Sequence, residues 1–204
     1  MADQINNLLL RIGACRICRD EPLGIPLPHE PRPVIRLSKT ARIAICGQAP
    51  GARVHASGQP FKDPSGIRLR DWMGVTEDQF YDSTRIAIVP MGFCFPGHNA
   101  KGGDLPPRSE CAERWRSEVF CLLPNLKFLL LVGQYAQKWH LGAQWQGSLT
   151  ATVRNWQQCL NNSPRCLPLP HPSWRNNAWL GRNPWFSEAV VPRLRIEVNA
   201  QLSD

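Results

Sequence analysis

Long hydrophobic runs are absent from this chain of 204 residues. None approaches the roughly 20 apolar residues that a membrane-spanning helix needs, so no such helix is expected. The opening residues, Met1-Ala2-Asp3-Gln4, carry neither the basic start nor the apolar stretch of a secretory signal, and the expected location is the cytoplasm. Internal repeats and low-complexity tracts are missing too, which sets aside solenoids and tail-like segments. Negative charge is in short supply, with 16 Asp and Glu against 24 Lys and Arg, for a net charge of +8. Lysine is scarce within that positive set: 5 of the 24 cations are Lys and 19 are Arg.

What is present points to a globular protein. Hydrophobic residues make up 43 % of the chain, enough for a packed core. The length suits one substantial α/β domain or two small ones. The chain reads as a single domain over 1–204. Residues 1–35 supply an N-terminal helix, a Cys-x-x-Cys segment and a Pro-rich connection over Pro22–Pro33. The arginines are interleaved with eight Trp. Guanidinium forks suit phosphates and indoles suit base stacking, so the composition leans towards a nucleic-acid partner.

Four segments read as strands: Arg42–Cys46, Arg85–Val89, Phe128–Val132 and Arg165–Leu169. The first three are near-continuous apolar runs, which implies burial on both faces and a parallel sheet. Pro168 interrupts the fourth. Helical patterns fall between them at Gly66–Met73, Arg108–Leu123, Gln134–Leu141, Leu149–Leu160 and Glu188–Leu202. This alternation predicts a three-layer α/β/α sandwich around a four-stranded parallel sheet. Ligands of such folds sit beyond the carboxyl ends of the strands. That rule singles out the loops Gly47–Phe61, Pro90–Pro107, Gly133-Gln134 and Pro170–Trp185.

Eight cysteines without a secretory signal do not suggest a disulfide scaffold. Cys15 and Cys18 form Cys-x-x-Cys, and Cys94 and Cys111 bracket a 16-residue stretch. Four thiolates could hold zinc or an iron–sulfur cluster, and spacing does not choose between them. The alternative for Cys94 and Cys111 is ordinary burial. Cys46, Cys121, Cys159 and Cys166 have no matched partners and read as core residues.

The loops carry the polar chemistry. Gly47-Gln48-Ala49-Pro50-Gly51 removes side chains where the backbone could approach a ligand. It could equally be a plain turn. Phe61, between Pro60 and a polar stretch, could offer its face to a flat ligand or serve the core. Asp63 precedes Pro64-Ser65-Gly66 and reads as a helix N-cap, or as a carboxylate at the mouth of a site. His171 is held between Pro170 and Pro172, well placed to donate a fixed hydrogen bond. Trp174, Arg175, Trp179, Arg182 and Trp185 follow it, a plausible phosphate-and-wedge loop.

Taken in order, these residues resemble the uracil-DNA glycosylase superfamily, in particular its iron–sulfur branches, families 4 and 5. Cys15, Cys18, Cys94, Cys111, Gly47–Gly51 and His171–Ser173 carry the resemblance, which spans about residues 8 to 195. It implies a monomeric, monofunctional DNA glycosylase of base-excision repair. The substrate would be DNA containing uracil or another deaminated base. The four cysteines would hold a structural [4Fe–4S] cluster. Gly47, Ala49, Pro50, Gly51, Phe61 and Ser173 would bind the flipped base. His171 would stabilise charge on its oxygen, and Trp174, Arg175 and Arg182 would meet DNA.

The departures are informative. Family 4 has Glu where this chain has Gln48, and an Asn near Val89–Met91 where this chain has Val89-Pro90-Met91. Family 5 instead places an Asp in Asp-x-Ser-Gly after the stacking Phe, and Asp63-Pro64-Ser65-Gly66 matches it. The resemblance therefore makes Asp63 the leading catalytic carboxylate, beside His171 and Gln48. The segment Met91–Pro107 matches neither branch and leaves the preferred base open. A base-binding protein of the same fold with weak catalysis, or a hydrolase of a free nucleotide, are the competing readings.

Overall fold

The computed structural model describes residues 2–203. In chain order the elements are α1 (Ala2–Gly13), α2 (Ile17–Asp20), β1 (Ile43–Cys46), α3 (Ala52–Ser57), α4 (Pro64–Met73), α5 (Glu77–Tyr81), β2 (Ile86–Ile88), α6 (Ser109–Cys121), β3 (Phe128–Val132), α7 (Gln134–Leu141), α8 (Leu149–Arg154), α9 (Trp156–Cys159), β4 (Arg165–Leu169), α10 (Asn177–Arg182) and α11 (Val191–Leu202). The four strands pair in parallel in the order β2-β1-β3-β4.

The strands are apolar throughout because both faces are covered. Ala44, Cys46, Ala87, Leu129 and Leu131 face α1 and α6. Ile43, Ile45, Ile86, Ile88, Leu130 and Val132 face α4 and α11. The alternation is the period of two of a strand, and it produces the three layers. Each fully buried Ile or Leu contributes roughly 1.5–3 kcal/mol. Pro168 is tolerated because β4 is an edge strand, where its missing N–H breaks no ladder.

Several helices differ from the sequence expectation, each for a local reason. Helix α4 starts at Pro64, two residues before Gly66, because Asp63 caps it and proline suits the first turn. The expected Leu149–Leu160 helix is two helices, broken at Asn155. The expected Glu188–Leu202 helix begins as a π-helical turn, Phe186–Val190, before α11. The loop Gly47–Phe61 contains α3, which Arg32 closes by donating to the carbonyls of His55 and Ala56, both at 2.7 Å. The Pro-rich connection is thus fastened to the body, also through His29 Nε2 against the Phe95 carbonyl at 3.0 Å. No helix among the described residues is long and apolar enough to cross a membrane.

Candidate active site

A cleft of about 300 Å³ opens at the carboxyl ends of β1, β2 and β4. Gly47, Gln48, Ala49, Pro50 and Gly51 wall one side, Phe61, Asp63 and Ser65 a second, and His171, Ser173 and Arg175 a third. Pro90 and Asp104, from the connection between β2 and α6, complete it. All three residues expected to be catalytic, and all those expected to bind the base, therefore line one cavity.

The first loop is turned by its own backbone. The carbonyls of Gly47 and Gln48 accept from the N–H groups of Met91 and Gly92, both at 2.9 Å. In planar trans peptides this sends the N–H groups of Gln48 and Ala49 the other way. The ring of Phe61 lies on Gly47, where a Cβ would sit 3.4 Å from its Cζ. Its other contact is edge-on to Phe80, with centroids 5.9 Å apart. Phe61 has φ of +56°, the left-handed region that a bulky residue rarely adopts. Gly66 explains how it is held: a Cβ there would come within 1.8 Å of the Phe61 carbonyl oxygen. The chain must fold back on itself at that point, and glycine alone permits it.

Asp63 caps a helix and also lines the cleft. Its Oδ1 accepts from the Gly66 N–H at 3.1 Å and from the Ser65 hydroxyl, capping α4. Both bonds fall on one oxygen, so Oδ2 remains for a ligand. His171 Nδ1 accepts from the Ser173 N–H at 3.2 Å, so the other nitrogen, Nε2, carries the proton. Burial pushes the His171 imidazole below its ordinary range, with Asp63 and Asp104 pulling the other way. Asn176 donates to the His171 carbonyl at 2.7 Å and fixes the backbone. Ser173 shapes the turn: its hydroxyl accepts from the Arg175 N–H at 3.3 Å, and its carbonyl from Arg68 at 3.2 Å.

Sequence reasoning missed Asp104. It arrives through a small bridge between His98 and Asp104, closed by the contact of His98 Nδ1 with Asp104 Oδ1 at 3.2 Å. A Cβ on Gly51 would lie 3.4 Å from its Oδ2. The signal available was Gly102-Gly103-Asp104, a carboxylate behind two glycines in the segment that resembles neither family 4 nor family 5.

Of the aromatic residues after His171, Trp174 is free, 68 % exposed beside Arg175. Trp179 and Trp185 are not. Their indole N–H groups donate to Thr150 at 2.8 Å and Asn183 at 3.1 Å, and Trp179 packs on Phe186. They brace the loop and are unavailable as wedges. Arg182 is exposed on α10, outside the cleft, and donates to the Ala178 carbonyl at 3.1 Å.

Cys15, Cys18, Cys94 and Cys111 line a second, largely apolar cavity with Phe93 and Trp115. The Phe93 N–H donates to Cys111 Sγ at 3.3 Å. Burial pushes the Cys18 thiol up to about 11 and Cys94 up to about 12, and raises Cys111 further still. Among the described residues no group of three His, Cys, Asp or Glu side chains is gathered closely enough to hold a metal ion. Cys46, Cys159 and Cys166 are buried as expected, whereas Cys121 is exposed at the end of α6.

The model of the uracil DNA glycosylase superfamily matches residues 35–195, which take in the sheet and every cleft residue named above. The chain belongs to that superfamily. Its members are N-glycosylases that act on damaged bases, and membership implies DNA binding. In this superfamily member the matched region begins after Cys15 and Cys18 and takes in Cys94 and Cys111.

Proposed function

We propose that this chain is a monofunctional uracil-DNA glycosylase, close to family 5, acting on a base flipped out of DNA. The observation that carries the reading is the convergence on one cleft of two carboxylates, Asp63 and Asp104, a neutral His171 with its Nε2 proton free, and the ring of Phe61. The cleft is at the small end for ligand sites, as a single nucleotide requires. The flipped base stacks on Phe61, which offsets part of the cost of unstacking it, on the order of a few kcal/mol. Backbone N–H groups of Gln48 and Ala49 and the Nε2–H of His171 meet its polar edge. The bond from sugar C1′ to the base nitrogen breaks, and its electron pair goes to the base. His171 stabilises the resulting anion, as an oxyanion hole would. Asp63 Oδ2 faces the cationic sugar. Water adds to C1′ and gives its proton to a carboxylate, Asp63 or Asp104. Gln48 cannot take that proton; it orients the loop or the base.

The four cysteines are read as ligands of a [4Fe–4S] cluster. What supports this is that all four line one apolar cavity and that the Phe93 N–H donates to Cys111 Sγ, as backbone N–H groups do to cluster sulfurs. When bound, the cluster supplies cross-linking between α1–α2 and the start of α6 and no step of the reaction.

The test is incubation with a uracil-containing oligonucleotide, followed by alkali. Strand scission only after alkali, with one free uracil per break, is the expected result. A parallel panel carrying hypoxanthine and xanthine ranks the bases. Tight binding with no base released from any of them would replace the enzyme with a binding protein. Release from free deoxyuridine but not from DNA would make it a nucleoside hydrolase. Iron content near four per chain tests the cluster independently, and stoichiometric zinc after anaerobic preparation would overturn it.

A further inference from the structure

Behind the cleft lies a charge that the reaction above leaves unused. Arg116, in the middle of α6, is 2 % exposed. Its Nη1 donates to the Pro90 carbonyl at 3.0 Å and more weakly to that of Val89 at 3.4 Å. Its Nη2 meets Nε2 of His140 on α7, and its face covers the Phe120 ring at 5.0 Å. Nε has no partner. Its charge also acts on the buried thiol of Cys46, the last residue of β1, pulling it down against the upward push of burial. No carboxylate pairs with it among the described residues. His140 does not share the charge, because burial and Arg116 together hold its imidazole down at about 3.

A buried ion without a counter-ion is costly, and an apolar side chain of the same size commonly fills such a place at less cost. A guanidinium keeps its charge in proteins. Its position therefore calls for an account. The groups it acts on are Cys46, one residue before Gly47, and the carbonyls of Val89 and Pro90, just before Met91. These two segments are joined by the Met91 to Gly47 hydrogen bond, and Gly47 and Pro90 line the cleft. The carboxylates stand elsewhere: Asp104 is about half exposed, with a side chain 49 % accessible, at the rim. The positive charge thus stands one residue behind the cleft wall at Pro90, and a negative charge is at the rim.

We propose that Arg116 is a positioning residue with an electrostatic share in base release. It draws the Val89 and Pro90 carbonyls away from the cleft and sets a fixed positive charge behind the departing base. Both effects favour a base that leaves as an anion. The inference rests on the base-excision reading and adds to it the source of the field.

The experiment compares two leaving groups. Single-turnover release is measured for uracil and for 5-fluorouracil, which is the better anion, in wild type, Arg116→Met and Arg116→Lys. One direct oxyanion donor is worth roughly 100- to 1,000-fold, and a charge one layer back should contribute less, roughly 10-fold. Arg116→Met should therefore lose about 10-fold on uracil and clearly less on 5-fluorouracil. Arg116→Lys should recover part of the uracil loss. Equal losses on both bases, or none, overturn the proposal, since a merely structural residue would not distinguish leaving groups. Should Arg116→Met fail to fold, free uracil bound to wild type and to Arg116→Lys is titrated by ultraviolet absorbance. Bound uracil should ionise at lower pH than uracil in water, and ionisation at the same pH overturns the proposal. A wild type that releases no base at all would strike the base-excision reading instead.

Discussion

His171 is the residue on which most depends, and its chemistry follows from one hydrogen bond. The Ser173 N–H occupies Nδ1 and leaves Nε2–H facing the cleft. His171→Ala is expected to lose roughly 100- to 1,000-fold in single-turnover rate while still binding DNA. Asp63→Asn should lose less, because the amide keeps the cap and can hold water without accepting its proton. Asp104→Asn should behave like Asp63→Asn if the two carboxylates share the proton, and Gln48→Ala should cost least. A fully active Asp63→Asn with a dead Gln48→Ala would overturn this division of labour. Gly66 answers to stability rather than rate. Overpacking costs typically 1–3 kcal/mol. A Cβ 1.8 Å from a backbone oxygen has no flexible neighbour to push, so Gly66→Ala should cost about 3 kcal/mol by urea unfolding. Gly13→Ala, with nothing within 4 Å, is the neutral control.

At the scale of elements, the strands were legible because double burial writes itself as unbroken apolar runs. All four stand within one residue of the sequence expectation at each end. Short helices were not. Helix α3 has six residues, with one buried apolar side chain, and it depends on Arg32 from another segment to close it. No local pattern announces such a helix. The site was legible where residue identity is tied to backbone shape, as at Gly47–Gly51 and Asp63–Gly66. It was illegible at Asp104, which reaches the cleft only through a hairpin closed by His98. Packing of α6 against α7 adds a pH dependence. The unfolded His140 imidazole titrates near 6.5 and the folded one near 3. The fold accepts only the neutral form, so its stability is complete above pH 6.5 and declines as pH falls towards 3. One proton contributes a slope of about 1.4 kcal/mol per pH unit. Buried His171 acts with the same sign. His140→Gln, which can still accept from Arg116, should flatten the slope of stability between pH 6.5 and 5 in urea titrations. An unchanged slope would place the proton uptake elsewhere.

For the whole molecule, the net charge of +8 and the arginine bias make DNA affinity a matter of phosphates. Binding should weaken linearly in log–log coordinates with salt, by a slope of about 0.9 per phosphate neutralised. Arg175→Ala and Arg182→Ala should each reduce that slope by about one such contact. A slope indifferent to both would move the DNA surface to another face.

The cysteine cavity and the cleft share one stretch of chain. Phe93 and Cys94 stand at the cysteine cavity, and Pro96 and Asp104 stand at the cleft. Surface loops ordinarily absorb insertions at little cost, since closure entropy rises slowly with length. This one is anchored at both ends by chemistry rather than by mere connection. Adding or deleting a residue between Cys94 and His98 would leave either a sulfur or, through the His98–Asp104 bridge, a carboxylate out of place. The loop's length is therefore as much a part of the protein's working parts as any side chain it carries.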